Sequence, residues 1–209
     1  MDYTVKQIPN NHTKEWLLKK HYAKRIPSIS YAFGLFDKEN VLQGVCTFGK
    51  PASNSLCIGV CGESNSHLVY ELNRLCVNDG LPTNTLSFFV AQSLQILPTP
   101  LVVVSYADSG QNHHGYIYQA TNWIYTGATK ERTDIATAEG THSRHYKKGG
   151  DYSNRKFRSS KHRYIMFLGD KRERKNLMSE LNYEIQEYPK GNNKRYDASA
   201  EINVQIPLI

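Results

Sequence analysis

Hydrophobic and polar residues alternate along much of this chain, and the alternation predicts strands separated by a few helices. Strands are predicted at Thr4–Ile8, Ser30–Phe36, Val41–Phe48, His67–Val77, Leu101–Tyr106, Trp123–Thr126 and His162–Leu168. Helices are predicted at Thr13–Lys20, Leu86–Leu97, Gly115–Thr121 and Lys171–Leu181. This order predicts an α/β fold with a twisted mixed sheet and helices on both of its faces.

Two stretches lack a clear period. Residues Gly49–Ser66 are rich in Gly, Ser and Asn, and they predict an irregular loop with a short strand at Leu56–Val60. Residues Gly127–Ser160 predict a long polar segment without regular structure. Between these two stretches, the pattern predicts a right-handed parallel crossover. It runs from the strand that ends at Val77, through the helix after it, to the strand that begins at Leu101.

The apolar run Leu101–Val104 leads into Ser105-Tyr-Ala-Asp108, and a His/Gly loop and Tyr118 follow. A buried strand that ends in a carboxylate is expected to deliver Asp108 and Tyr118 to the same end of the sheet. Open α/β sheets bind their ligands at that end. The pattern therefore predicts an active site there.

Composition indicates one domain spanning residues 1–209, with a core that needs no disulfides. The four cysteines lie in apolar segments, and Cys57-x-x-x-Cys61 has no second pair of ligands at zinc spacing, so buried thiols are favoured over a zinc site. No signal peptide and no apolar run long enough to span a membrane is visible. We expect a reduced protein of the cytoplasm that does not bind membranes.

The net charge of +7 is concentrated in residues 131–175, which hold 13 Lys and Arg against 6 Asp and Glu. Aromatic and histidine side chains are interspersed there, as phosphate neutralisation and base stacking would need. A solvated loop is the alternative. We expect a basic insertion at 131–160, a strand and helix at 161–190 and an irregular tail at 191–209. The predicted DNA contacts are Arg144, Lys147, Lys148, Arg155, Lys156, Arg158, Lys161 and Arg163.

The order of elements, with Tyr118-x-x-x-Asn122-Trp123, resembles the GNAT acyltransferase superfamily over about residues 1–130. Six segments in order, together with the later Lys161-His-Arg-Tyr164 and Tyr188-Pro-Lys190, resemble the bacteriophage Mom family. The six are His21-Tyr22, Phe33-Gly-Leu-Phe36, Phe48-Gly-Lys-Pro-Ala-Ser53, Glu71-Leu-Asn-Arg74, Ser105-Tyr-Ala-Asp108 and Ile117-Tyr-Gln-Ala-Thr-Asn-Trp123.

The resemblance implies conversion of adenine in double-stranded phage DNA to N6-carbamoylmethyladenine in the bacterial cytoplasm, which protects the DNA from restriction. It also implies acetyl-coenzyme A or a related acyl-coenzyme A as cofactor, although a carbamoylmethyl group joins N6 through a methylene carbon and leaves the donor open. Iron is a further option in this family. The residues expected to bind the cofactor are Leu75, Val77, Thr83, Asn84, Thr85 and Ser87.

The residues themselves suggest catalytic roles. Asp108 is the first choice to accept the proton of a weakly nucleophilic amine, with an Asx turn as its structural alternative. Tyr118 occupies the GNAT position that protonates the departing thiolate, with core packing as its alternative. Arg74 in a strand should be paired, and it could orient Asp108 or contact phosphate.

His21 and Tyr22 could supply a second acid–base group or a face for adenine to stack on. His113 and His114 are adjacent and are expected to point apart, so we do not expect them to chelate a metal. Two rival functions remain at this point: an ordinary GNAT N-acyltransferase acting on a protein or a small amine, and a DNA-binding protein that has lost catalysis.

Overall fold

A computed structural model of the protein describes residues 2–135 and 155–191. Its main sheet has seven strands in the order β1-β2-β3-β4-β5-β9-β6, and β7 and β8 form a separate hairpin. The strands are β1 Thr4–Gln7, β2 Tyr31–Phe36, β3 Leu42–Gly49, β4 Val69–Val77, β5 Leu101–Asp108, β6 Ile124–Ala128, β7 Arg132–Ile135, β8 Arg155–Arg158 and β9 Lys161–Leu168. Only the β4–β5 pairing in the main sheet is parallel, as the predicted crossover requires.

Helices cover both faces of the main sheet. They are α1 Asn54–Cys61, α2 Thr85–Ile96, α3 Tyr116–Ala120 and α4 Lys171–Ser179, with a 3-10 turn at Asn10–Thr13 and a π-helical turn at Trp16–Lys20. We call the face under α2 and α3 the α2 face. The opposite face, under the π-helical turn, α1 and α4, is the α1 face.

The alternation of side chains along the strands builds a core on each face. On the α2 face, one large cluster joins Phe33, Phe48 and Phe89 to Tyr118 and Trp123. The α1 face carries two separate clusters, one around Trp16 and Leu17 and one around Val60, Val104 and Ile165. The strand positions between these two clusters hold polar and charged side chains.

The predicted strands and helices are confirmed, within a few residues at their ends. The prediction of an irregular loop with a strand at Leu56–Val60 is wrong, because residues Asn54–Cys61 form α1. Cys57, Val60 and Cys61 lie on one side of this helix and pack into the α1-face core. An apolar stripe on so short a helix reads much like a buried strand.

The prediction of an irregular Gly127–Ser160 segment is also wrong in part, because β7 and β8 lie within it. Their pairing is supported by side chains: the Arg155 Nε donates to the Thr133 hydroxyl at 2.8 Å, and Arg158 forms an ion pair with Asp134 at 3.1 Å. Residues 136–154 and 192–209, which include most of the expected irregular tail, lie outside the described residues.

All four cysteines are buried and none is in a disulfide, as expected. Burial raises the pKa of Cys61 to about 11 and of Cys76 to about 12, so both thiols are protonated at neutral pH. Over residues 2–135 and 155–191, no helix combines the length and the apolar character needed to cross a bilayer.

Candidate active site

The site begins where β4 and β5 separate. These strands pair only from Val69 to Glu71 on β4, opposite Val102 to Val104 on β5. Ser105 marks the point of separation, because its hydroxyl lies 2.9 Å from the Leu72 carbonyl and 2.7 Å from the Tyr118 hydroxyl. Beyond it the strands leave a gap in the sheet at their carboxyl ends. This is the end at which the sequence placed Asp108 and Tyr118.

A β-bulge in β4 shapes one wall of the gap. Thr47 pairs with Arg74 and Phe48 pairs with Leu72, so Asn73 is the extra residue. Its side chain accepts a hydrogen bond from Thr47 and donates one to the Ser28 carbonyl. Residues three apart on a regular strand lie on opposite faces, but the bulge brings both Glu71 and Arg74 to the α1 face.

Arg74 is a nearly buried cation, only 9% exposed. Its Nη1 donates to the Asn73 carbonyl at 2.5 Å, while its buried Nε has no hydrogen-bond partner among the described residues. Burial and the nearby Arg25 lower the pKa of Arg74, and Tyr22 and Glu71 oppose that shift. The guanidinium therefore keeps one buried N–H donor without a partner among the described residues.

Asp108 lies at the end of β5 on the α1 face. Its Oδ1 accepts hydrogen bonds from the Ser159 hydroxyl and from the Gly110 N–H at 3.0 Å, and its Oδ2 forms an ion pair with Lys161 at 3.1 Å. Burial raises the pKa of Asp108, but the Ser159 hydrogen bond and the Lys161 charge outweigh it, so the net pKa is below the usual value. The carboxylate is ionised at neutral pH. The Gly110 contact is the Asx turn anticipated as its structural role.

His21 and Tyr22 approach Asp108 and Arg74 from the segment after the π-helical turn. The two rings stack with centroids 4.5 Å apart, and His113 meets Tyr22 edge-on at 6.3 Å. Burial, with Arg74 and Arg25 nearby, lowers the pKa of His21 to about 3. The Ala23 N–H donates to His21 Nδ1, so the ring is neutral and carries its proton on Nε2. His21 is therefore a donor here, whereas Tyr22 is 36% exposed.

Tyr118 lies on the other face of the sheet. Its ring packs between Trp123 and Tyr164, with centroids 5.1 and 5.0 Å away. Burial raises the pKa of Tyr118, so the phenol keeps its proton at neutral pH. Gly115, at φ +77°, begins α3 and leaves room for the Tyr164 ring, which a side chain at that position would strike. Asp108 and Tyr118 thus share one end of the sheet but face opposite sides of it.

The residues predicted to bind the cofactor lie on or near the α2 face. Asn84 and Ser87 line a groove of about 1010 Å³ between α2, the residues just after α3, and β9. Thr85, in the first turn of α2, has a buried hydroxyl with no hydrogen-bond partner among the described residues. Leu75 and Val77 pack against the core, and Thr83 is exposed. The first turn of α2, which has no side-chain cap, therefore lies beside this groove.

The donor set for iron does not come together in the described part of the chain, where no three His, Cys, Asp or Glu side chains are placed to hold a metal ion. His113 contacts Tyr22, while His114 lies beside His162, so these adjacent rings point to different neighbours as expected. We assign no step to iron.

The residues predicted to contact DNA divide into three groups. Arg155 and Lys156 are exposed on β8, and Arg155 also donates to Thr133. Three further cations have partners within the protein. Lys161 pairs with Asp108, Arg158 pairs with Asp134, and Arg163 contacts the Thr126 carbonyl and the Tyr183 ring. Arg144, Lys147 and Lys148 lie outside the described residues.

Sequence reasoning missed three residues that shape the site. Ser105 could have been found, because a serine inside an otherwise apolar buried strand needs a partner. Ser159 carries no such signal, and Lys161 was interpreted only as a phosphate contact. The ion pair to Asp108 comes from Lys161, which faces it across the β5–β9 pairing, and not from Arg74.

Comparison with known proteins agrees with this architecture. The family model of the Mom protein family matches residues 2–190. Methylcarbamoylase mom of Escherichia phage Mu is 29% identical over 210 residues, covering 90% of this chain and 86% of the phage protein. A solved structure described as a phosphinothricin N-acetyltransferase matches with a TM-score of 0.50 at 8% identity, covering 80% of this chain and 99% of the other.

A Salmonella typhimurium acetyltransferase solved with acetyl-CoA matches with a TM-score of 0.48 at 9% identity, covering 81% of this chain and 96% of the other. The match to the phosphinothricin N-acetyltransferase structure shows that the fold is that of the GNAT acetyltransferases, as expected from the order of elements. The match to the family model extends over nearly the whole described chain. The protein belongs to the Mom family.

Proposed function

We propose that this transferase attaches a carbamoylmethyl group to the exocyclic N6 amine of adenine in double-stranded DNA. Membership of the Mom family and the name of the phage Mu relative, a methylcarbamoylase, support transfer of a group of this kind. The product would protect phage DNA from restriction nucleases. The arrangement of charged groups around Asp108 supports an amine as acceptor.

The observation that carries the proposal is the remaining acceptor position on Asp108. A carboxylate accepts about four hydrogen bonds, and the described residues give Asp108 three, from Ser159, Gly110 and Lys161. One position is left on Oδ2, on the face where Arg74, His21 and Tyr22 converge. It can accept one N–H of the adenine amine and orient the nitrogen lone pair towards the gap between β4 and β5.

Proton transfer follows from the low pKa of Asp108. An ionised carboxylate of this kind does not deprotonate a neutral amine, so it first acts as a hydrogen-bond acceptor. When N6 forms its bond to the donor carbon, the nitrogen becomes cationic and strongly acidic. The bond between the donor carbon and the leaving group breaks as the N6–carbon bond forms, and the N6 proton then passes to Asp108.

Tyr118 is placed to serve the leaving group from the α2 face. Its phenol is protonated and contacts Ser105 at the point where the strands separate. An acyl-coenzyme A would place its carbonyl carbon on N6, so the proposed product needs a phosphate-bearing donor of the class X–CH2–CONH2, whose methylene carbon is the electrophile and whose group X leaves with the electron pair. Asn84, Thr85 and Ser87 would hold the donor's phosphates at the start of α2, and Tyr118 would donate its proton to the departing group.

Adenine within a duplex has to leave the base stack before its N6 can reach Asp108. Tyr22 offers the extruded base a partly exposed aromatic face beside His21 and His113. The Arg74 Nε–H and the Nε2–H of the neutral His21 ring can donate to ring nitrogens or to a neighbouring phosphate. Arg155 and Lys156 supply exposed positive charge for the DNA backbone.

The test is mass spectrometry of nucleosides digested from plasmid DNA of cells that express the protein. Wild type should yield deoxyadenosine heavier by one carbamoylmethyl group, and Asp108→Ala should reduce that peak by about 10³-fold, within the range of general acid–base catalysis. Asp2→Ala, an exposed carboxylate before β1, is the matched control and should keep the peak.

The same digest separates this proposal from an ordinary acyltransferase. Detection of an N6-acyl adenine would mean that DNA is the substrate but that the transferred group is an acyl group. Unmodified DNA from a well-folded protein that acylates free amines without DNA would contradict the proposal.

A further inference from the structure

The β7–β8 hairpin carries a feature that the proposed chemistry does not use. Phe157 on β8 is 61% exposed, the highest value among the large apolar side chains in the described ranges. It faces Thr133 across the hairpin and belongs to none of the hydrophobic clusters. A phenylalanine exposed to this degree gains little from folding, so its role lies outside the packing of the described residues.

Phe157 lies next to the site in the chain. Two residues later, Ser159 donates its hydrogen bond to Asp108, and Ser160 accepts hydrogen bonds from the Ser109 N–H and hydroxyl through its carbonyl. Two residues of extended chain span about 7 Å. The hairpin is thus fastened to the end of β5, and the Cα of Phe157 lies within about 7 Å of that of Ser159.

The neighbours of Phe157 are basic. β8 reads Arg-Lys-Phe-Arg, with Arg155 and Lys156 both exposed. Two exposed cations directly before an exposed aromatic ring favour a polyanion with flat, stackable bases over an apolar protein partner. Duplex DNA has both properties, and proteins that distort duplexes insert apolar side chains, phenylalanine among them, between base steps.

We propose that Phe157 enters the duplex and stacks in the space left by the extruded adenine. This inference rests on the proposed function, since it assigns to the hairpin the task of holding open the stack while the base occupies the site at Asp108. Phe157 would act before chemistry, on the equilibrium between stacked and extruded adenine. Its removal should therefore affect substrates that need extrusion more than substrates that do not.

The first experiment compares two DNA substrates that carry one adenine found to be modified on the plasmid. In the first the adenine is paired, and in the second it is an unpaired single-nucleotide bulge. The small-molecule fraction of a bacterial extract supplies the donor. Phe157→Ala should lower modification of the paired adenine by about 10- to 100-fold and of the bulged adenine by less than about threefold, because the bulge has already given up its pairing.

Controls separate stacking from folding. Phe157→Trp should restore modification of the paired adenine, since indole also stacks. Ile96→Ala, an exposed apolar residue at the end of α2 and at the opposite end of the sheet from Asp108, should match wild type on both substrates.

A second readout needs no donor. A duplex with 2-aminopurine at the target position should brighten on binding wild type and stay dim with saturating Phe157→Ala. Equal losses on paired and bulged adenine, or an unchanged fluorescence response, would overturn the role of Phe157 while leaving the proposed function intact. If wild type modifies neither substrate and plasmid DNA is also unmodified, the proposed function fails and this inference fails with it.

Discussion

The two faces of the sheet differ sharply at the gap between β4 and β5. On the α2 face, the groups near Ser105 are neutral: Tyr118, Trp123 and Tyr164 pack together, and burial keeps the Tyr118 phenol protonated. On the α1 face, charged side chains face the same gap: Glu71 and Arg74 from β4, Asp108 from β5 and Lys161 from β9. A single break in the pairing therefore joins a neutral environment to an ionic one.

This difference indicates how the donor and the DNA could bind at separate sites and still meet at the gap. A neutral acid suits a leaving group that develops negative charge, whereas an ionised carboxylate suits an amine that develops positive charge. The groove lined by Asn84 and Ser87 lies on the α2 face. The β7–β8 hairpin, with its exposed cations, is joined to Asp108 on the α1 face through Ser159. We therefore expect the donor at the α2 face and the DNA at the α1 face.

Tyr118→Phe removes the acid from the neutral face and should have the largest effect among the variants considered next. Turnover should fall by about 10²-fold, because the leaving group loses its proton donor. DNA affinity should not change, because Tyr118 lies on the other face. Single-turnover kinetics and fluorescence anisotropy would measure the two quantities. A matching loss of DNA affinity would contradict the separation of the faces, and unchanged turnover would leave Tyr118 with a packing role.

Lys161→Met should alter the ionic face more moderately. Removal of this cation raises the pKa of Asp108, so the acidic limb of the pH–rate profile moves to higher pH, while Lys161→Arg should restore it. Lys161→Met should also reduce the stability of the fold towards acid. The pKa of Asp108 is lower in the folded protein than in the unfolded chain, where it is about 3.9, so the ionised carboxylate stabilises the fold above that pH. This contribution is lost as the pH falls through the folded-state pKa.

Acid unfolding of Lys161→Met should consequently begin at a higher pH than that of wild type, as followed by circular dichroism. A pH–rate profile identical to that of wild type would show that Lys161 does not set the charge of Asp108. A changed profile that Lys161→Arg does not restore would indicate a structural effect of the substitution.

Arg155→Ala combined with Lys156→Ala should give the smallest effect, mainly on DNA affinity. The slope of log affinity against log salt should fall by about 2, close to one per lost phosphate contact. Lys171→Ala with Arg172→Ala removes the same charge from the start of α4, at the opposite end of the sheet, and should leave the slope unchanged. Equal slopes for the two double variants would remove β8 from the DNA interface.

The sequence predicted much of this arrangement because local patterns determine it. Alternation located the strands, and the carboxylate after an apolar run located Asp108 at the right end of the sheet. Helix α1 was missed because its apolar stripe is only two turns long. The hairpin strands β7 and β8 were missed because they are short, polar and stabilised by cross-strand contacts such as that of Arg155 with Thr133.

Contacts between distant segments account for the rest. Nothing near Lys161 in the sequence indicates that β9 pairs with β5 and brings its ammonium to Asp108. The bulge at Asn73 is equally invisible, although it decides which face Arg74 occupies. Strand order and register therefore determine the electrostatics of the site, and they depend on the whole sheet.

The most direct test of the central claim is site-specific photocrosslinking from the two faces. A benzoylphenylalanine at position 22, in place of Tyr22 on the α1 face, or at position 87, in place of Ser87 in the α2-face groove, would be irradiated with labelled duplex DNA. The account predicts DNA crosslinks from position 22 and none from position 87. DNA crosslinks from position 87, with none from position 22, would contradict it.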